Sequence, residues 1–322
     1  MVTSATSAGP ARRPFSQLRF KELPELPRRP HTYFETKAHD VTIDSTPYGR
    51  TRIHYRSCGV GPPLLLIHGL MTSSYSWRYV LRGLGEWFTV IAPDLPGSGR
   101  SDVPASGSYA AAALATWIGE FQHAVGIVGC YAVGNSLGGY LCMRRALDDP
   151  ASFQRLVNIH SPALPEPRIR ALHAALAVPG VARGLARRVR RSPERWAHRN
   201  VHYYDETLKS REEAREYGRP LATDAGARAF VRSLHQALDP ADLAAFVAEL
   251  KRRRRDGAPF AVPLLLLYAR EDRMVSPANG HALHELVPEA RIRWLERSSH
   301  FAQVDSPGDV VRTLLDFFAE PA

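Results

Sequence analysis

Gly134-Asn135-Ser136-Leu137-Gly138-Gly139 constrains this chain more than any other stretch. It follows an apolar run, Ile127 to Val133, and opens a segment patterned like a helix. Gly-x-Ser-x-Gly at a strand-to-helix turn is the form of a nucleophile elbow. The turn is tight enough to strain the serine backbone. Small residues are needed two places before and after it, so that strand and helix do not collide. The serine hydroxyl then stands above a sheet, at a helix N-terminus. Ser136 is the candidate nucleophile. The competing reading is a loop serine between two glycines, and the rest of the chain has to decide between them.

Short apolar runs recur along the sequence: 64–67, 89–92, 127–133 and 156–159. Each suits a strand buried on both faces. Helix-patterned segments at 75–84, 109–124 and 137–147 separate them. Before them, 41–43 and 52–55 flank Pro47-Tyr48-Gly49 and read as a hairpin. Strands alternating with helices predict an α/β fold with a mostly parallel sheet flanked by helices. Residues 161–260 break the rhythm. They are rich in Ala, Arg and Leu, punctuated by prolines such as Pro162, Pro193 and Pro240, and predict several helices and no strand. The alternation resumes with 264–268, a helix at 278–287, a strand at 292–295 and a final helix at 307–319. The expected organisation is a flexible N-terminal arm (1–37), a core (38–160 and 261–322) and a helical cap (161–260).

An acyl-transfer site needs a nucleophile, a base, an orienting acid and an oxyanion hole. Open parallel sheets place such groups at the carboxyl ends of strands. His300 follows the last predicted strand and is the candidate base; His68, His160, His281 and His284 are rivals. Asp272 follows the strand 264–268 and is the candidate acid that would orient His300. Glu271 is its neighbour and rival, and a surface Asp paired with Arg270 or Arg273 is the alternative. His68-Gly69-Leu70 follows the strand 64–67. Gly69 lets the chain turn so that the Leu70 amide, with that of Leu137, can face a developing oxyanion. His68 is expected to brace this loop. Gly97-x-Gly99, within Asp94 to Asp102, lacks the third glycine and the Lys-Ser/Thr of a phosphate loop, and reads as a tight structural loop.

The chain carries a net charge of +10, and residues 161–260 hold twenty Lys/Arg against twelve Asp/Glu. Lys251 to Arg255 is the densest run. It ends an amphipathic segment containing Leu243, Phe246, Val247 and Leu250, so a solvated helix end is expected. No nucleic-acid-binding motif accompanies the charge. The basic cap leaves room for weak contact with a membrane surface. No apolar run is long enough to span a bilayer. Cys58, Cys130 and Cys142 are widely spaced and form no metal or disulfide framework. The first thirty residues lack the apolar core of a signal peptide, so a cytoplasmic location is expected.

Together, His68-Gly69, Asp94 to Ser101, Gly134 to Gly139, and Asp272 followed by His300 resemble the α/β-hydrolase family. The resemblance runs from about residue 40 to the end. It implies eight strands, a cap inserted after the sixth, a Ser-His-acid triad and no cofactor or metal. His68 to Arg78 is locally similar to haloalkane dehalogenases. Those use an Asp nucleophile and typically a polar residue after His-Gly, where this chain has Ser136 and Leu70. Epoxide hydrolases differ at the same nucleophile position. Asn135 and His300-Phe301-Ala302-Gln303 resemble C–C bond hydrolases of dienone ring-fission products, although Leu70-Met71-Thr72 replaces their Gly-Pro-rich loop. The expectation is a carboxylesterase-like serine hydrolase acting on a small or medium apolar ester. C–C hydrolysis is the alternative chemistry, and a non-catalytic binding protein on the same fold is the alternative of another kind.

Overall fold

The computed structural model describes residues 13–320. The first twelve residues of the expected arm lie outside the described residues. Eight strands form one sheet: β1 (Lys37–Ser45), β2 (Gly49–Cys58), β3 (Pro63–Ile67), β4 (Thr89–Pro93), β5 (Cys130–Asn135), β6 (Phe153–Ile159), β7 (Leu264–Ala269) and β8 (Arg291–Leu295). Their order is β1-β2-β4-β3-β5-β6-β7-β8. β2 runs antiparallel to β1 and β4, and all other pairs are parallel.

Around the sheet lie α1 (Leu81–Gly85), α2 (Ala111–Val125), α3 (Leu137–Asp148), α10 (Ala278–Leu286), α11 (Ala302–Asp305) and α12 (Pro307–Phe318). Between β6 and β7 run α4 (Pro167–Leu176), α5 (Pro179–Arg191), α6 (Pro193–Asn200), α7 (Arg211–Gly218), α8 (Asp224–Gln236) and α9 (Pro240–Arg255). Among the described residues, no helix is long and apolar enough to cross a membrane.

The continuous apolar runs serve two layers, because successive strand residues point to opposite faces. Leu65, Ile67, Ala132, Leu156, Leu264 and Leu266 pack with Leu114 and Ile118 of α2 and Leu141 of α3. Their neighbours Leu64, Leu66, Val133, Val157, Leu265 and Leu267 pack on the other face with Leu81, Leu84, Leu314 and Phe317. Each fully buried leucine contributes about 1.5–3 kcal/mol. A one-residue slip would exchange the two sets, so both faces fix the register.

Two local expectations shift. The segment 75–84 divides into a 3₁₀ turn, Ser74–Trp77, and the short α1. The Ser73 hydroxyl caps the first by accepting the Tyr75 N–H, and Gly83 and Gly85 are poor residues for extending the second. The run from Ile127 starts as a turn, with Gly126 and Gly129 at positive φ, and pairing begins at Cys130.

α9 lays Leu243, Phe246 and Leu250 into the same cluster as α2 and α3. Its basic end is held locally: Glu249 pairs with Arg252 and Arg253, and Arg252 also pairs with Asp256. A separate apolar cluster, including Leu176, Val189, Leu221 and Phe230, joins α4, α5 and α8. Residues 13–36 cross from these helices to the sheet. Pro24 and Glu25 carbonyls accept the Arg211 and Glu212 N–H groups, and the buried Tyr33 hydroxyl meets Ser74 Oγ at 2.8 Å.

A buried ion pair also ties the chain after the Ser74–Trp77 turn to α7. Arg78 Nη2 donates to Glu213 Oε2 at 2.5 Å, and Tyr203 Oη donates to the same oxygen at 2.6 Å. Arg78 is 1% exposed, so removing its partner strands a charge. Glu213→Ala should therefore cost about 3–5 kcal/mol in urea unfolding. A loss below about 1 kcal/mol would show that water reaches Arg78.

Candidate active site

β5 ends at Asn135 and α3 begins at Leu137, so Ser136 alone makes the turn. Its backbone sits at φ 55°, ψ −122°, a sparsely populated conformation that costs about 1–3 kcal/mol. A Cβ on Gly134 would fall on the Gly138 carbonyl, and one on Gly138 would fall on the Ile67 carbonyl at the end of β3. The two glycines let the strand and helix close around the serine. Gly69 also packs against the elbow: a Cβ there would lie 3.0 Å from Ser136 Cβ. Leu70 follows it, and Leu137 opens α3, where first-turn N–H groups have no partner within the helix.

His68 joins two loops. Its Nδ1 lies 2.8 Å from the Gly69 carbonyl, and its Nε2 accepts the Leu95 N–H at 2.9 Å. Burial lowers its pKa, which keeps the ring neutral and suited to donating on one side and accepting on the other. Asp94 supports the same region by accepting the Ser74 and Arg100 N–H groups. The glycine loop after Asp94 is thus closed on itself by a carboxylate.

Asp272 and His300 meet at strand ends. His300 Nδ1 lies 2.8 Å from Asp272 Oδ2, with both residues buried. Asp272 Oδ1 accepts the Met274 and Val275 N–H groups at 2.6 and 2.9 Å. Burial alone would raise the Asp272 carboxyl. The His300 charge and the hydrogen bonds from His160 and His300 overcome it and hold the group well below the usual carboxylate range. Its contribution to stability is therefore complete above about pH 4 and is lost only as the pH falls far below that.

The rivals resolve by position. Arg270 pairs with Glu296, and Arg273 lies over the Phe15 ring, so neither holds Asp272. His281 stacks on Trp294. His160 stands at the end of β6, beside β7, and is fully buried. Its Nε2 accepts the Ala269 N–H at 3.0 Å, which leaves Nδ1 to donate to Asp272 Oδ2, also at 3.0 Å. Burial lowers its pKa, and the neutral ring satisfies both contacts. Two histidines thus share one carboxylate oxygen. Among the described residues, His160, Asp272 and His300 are the one cluster with metal-ligand spacing, and their mutual hydrogen bonds account for that closeness.

Asn135 ties the elbow to the His300 loop. Its Nδ2 donates to the carbonyls of His300 and Ile159 at 3.0 and 3.3 Å, and its Oδ1 accepts from Gln303. From the other side, Asp305 accepts the Ser299 N–H at 2.9 Å and the Tyr204 N–H at 3.0 Å. Burial pushes its carboxyl up to about 6 despite these donors. The sequence does not declare most of these contacts, because His300 and Gln303 lie far along the chain from Asn135, as Tyr204 does from Asp305.

Ser136, Leu137, Gly69, Leu70 and His300 line one cavity of about 470 Å³. Its remaining wall is largely apolar. The cap helices supply Leu172, Leu185, Trp196 and Phe230, and Met274 and Val275 come from the loop that holds Asp272. This volume falls within the range of small-molecule sites.

A family model described as "alpha/beta hydrolase fold" matches residues 62–307. The chain belongs to that family. It is 29% identical to an uncharacterized protein of Mycobacterium tuberculosis, over 83% of this chain and 79% of that one. It is 28% identical to a 2-hydroxymuconate semialdehyde hydrolase of Pseudomonas putida, over 84% of this chain and 91% of that one. Its fold is also that of a solved epoxide hydrolase, CorEH, with a TM-score of 0.73 and 22% identity, covering 88% of this chain and 99% of that one.

Proposed function

We propose that the chain is a serine hydrolase that cleaves carboxylic esters of small or medium apolar compounds through an acyl-enzyme. The observation that carries this reading is one apolar cavity lined by both the elbow serine and a histidine already bonded to a buried carboxylate. Asp272 holds His300 with its proton on Nδ1, leaving Nε2 as the base. His300 takes the Ser136 proton as Oγ attacks the ester carbonyl. The Leu70 and Leu137 amides stabilise the oxyanion. His300 then protonates the leaving alcohol, and water, activated by the same nitrogen, releases the acid. Turnover of p-nitrophenyl esters by the wild type, against none of a dienone ring-fission product, tests the reading directly.

Hydrolysis of a C–C bond is the second reading. It is supported by the relationship to the Pseudomonas putida hydrolase and by Asn135 beside the nucleophile. Loss of dienone absorbance on mixing, with esters left intact, would favour it.

His160 enters this reading as a positioning residue. By donating to Asp272 Oδ2 it withdraws electron density from the oxygen that supports His300. His160 also fixes the orientation of the Asp272 carboxylate by bridging it to the Ala269 N–H, and with that lost His160→Ala should lower kcat about 10–100-fold with little change in KM. The acidic limb of the kcat/KM–pH profile should move to higher pH, because a carboxylate relieved of one donor supports the imidazolium better. His160→Gln, which keeps a donor, should restore the limb. A purely structural role would lower stability and leave the pH profile in place.

A further inference from the structure

The cap carries a second feature that the reaction does not use. Seven arginines fall between residues 183 and 199, against the single acid Glu194. Arg187, Arg188, Arg191, Arg195 and Arg199 line a groove of about 620 Å³ between α5 and α6. Arg190 pairs with Asp224, and Arg195 lies over Phe20. Among the described residues, Arg187, Arg188, Arg191 and Arg199 have no acidic partner within ion-pair distance. Several arginines elsewhere are held by nearby acids, as in the Arg252–Glu249–Arg253 cluster. The groove therefore concentrates uncompensated positive charge.

Exposed apolar residues lie beside it. Val178 is 52% exposed, Val181 45% and Leu172 38%. Val181, Gly184, Arg188 and Arg191 follow one stripe of α5, at spacings of three, four and three residues. Leu172 also lines the Ser136 cavity, and Trp196 lines both that cavity and the arginine groove. Apolar side chains next to unpaired arginines suit the interface of an anionic bilayer, where the first enter the acyl boundary and the second meet lipid phosphates. A polynucleotide would use the arginines and leave the exposed valines without a role.

We infer that the α4–α6 face of the cap is a docking surface for an anionic lipid bilayer. Docking would bring the rim of the Ser136 cavity to the lipid, so that apolar esters partitioned there could enter. That delivery step rests on the ester-hydrolase reading, whereas docking itself does not.

The test is co-sedimentation of the full chain with vesicles of phosphatidylcholine alone, or with about one third phosphatidylglycerol. The wild type should sediment only with the anionic vesicles, and raising salt from about 50 to about 500 mM should release it. Arg187→Glu/Arg188→Glu/Arg191→Glu should lower partitioning at least about tenfold. Val178→Ser/Val181→Ser leaves the charge unchanged and should lower it about threefold or more. Both variants should keep the wild-type circular dichroism and melting temperature. Equal sedimentation of the wild type with both vesicle types would overturn docking, as would wild-type binding by the triple variant. So would tighter binding to single-stranded DNA that the valine changes leave unaltered. Sedimentation is read without turnover, and turnover of a soluble ester is read without vesicles. Failure of docking and failure of the hydrolase reading are therefore separate results.

Discussion

Ser136→Ala should lower ester turnover by at least about 10⁴-fold while leaving substrate binding nearly unchanged. The variant removes only the Ser136 hydroxyl, the attacking group of the proposed mechanism. The cavity wall, the Leu70 and Leu137 amides and the Asp272–His300 pair all remain. Serine and alanine both carry a Cβ, so the strain at φ 55° persists and the melting temperature should stay close to that of the wild type. Ser136→Gly should be equally inactive, yet at least as stable, because glycine tolerates this conformation. Steady-state kinetics and thermal melts check both. Turnover within about tenfold of the wild type in either variant would remove Ser136 from the chemistry.

Asp272→Asn should be nearly as damaging to turnover, at about 10⁴-fold, and the reason is legible in the hydrogen bonds. Asp272 Oδ1 is held by two backbone N–H donors, from Met274 and Val275. The asparagine carbonyl must take that place, which turns its NH₂ toward both histidines. His300 Nδ1 would then have to accept, moving its proton to Nε2, so that on the proposed mechanism this nitrogen could no longer take the serine proton. His160 Nδ1 would also have to accept, setting an Nε2–H against the Ala269 N–H. Two buried donors facing each other cost about 1–3 kcal/mol. The variant should therefore lose both activity and stability, whereas Ser136→Ala loses activity alone. Unfolding curves beside kcat would separate them, and an Asp272→Asn enzyme with wild-type stability would contradict this arrangement of tautomers.

Much of this architecture is written in local pattern. Leu64 to Ile67 and Leu264 to Leu267 are apolar at every position, as a strand covered on both faces requires. The observed sheet uses alternate residues of each for opposite layers. Gly134 and Gly138 flank Ser136 at the spacing a closed turn needs, and the chain does turn there. Asp272 and His300 each follow a predicted strand, and neighbouring parallel strands bring such loops together.

What escapes the sequence depends on tertiary contacts. His160 follows the strand 156–159 much as His300 follows 292–295, so position alone makes it a rival. Its actual place beside Asp272 depends on β6 and β7 being neighbours. α9 lies in the stretch expected to form the cap, yet its apolar residues pack against the layer beside the sheet. A helical period shows that a face is buried, and not which surface covers it. Asn135 stands out in the sequence only by family resemblance. The structure adds that it ties the backbone of His300 to the elbow, through a partner 165 residues away.

On the ester-hydrolase reading Ser136 is an activated nucleophile rather than a loop serine between two glycines. The most direct measurement is reaction of the folded chain with a fluorophosphonate, followed by mass spectrometry of the labelled peptide. One adduct on Ser136 is expected, absent from Ser136→Ala and strongly slowed in Asp272→Asn. An unlabelled Ser136 in folded protein, or equally fast labelling of the wild type and the Asp272→Asn variant, would contradict the account.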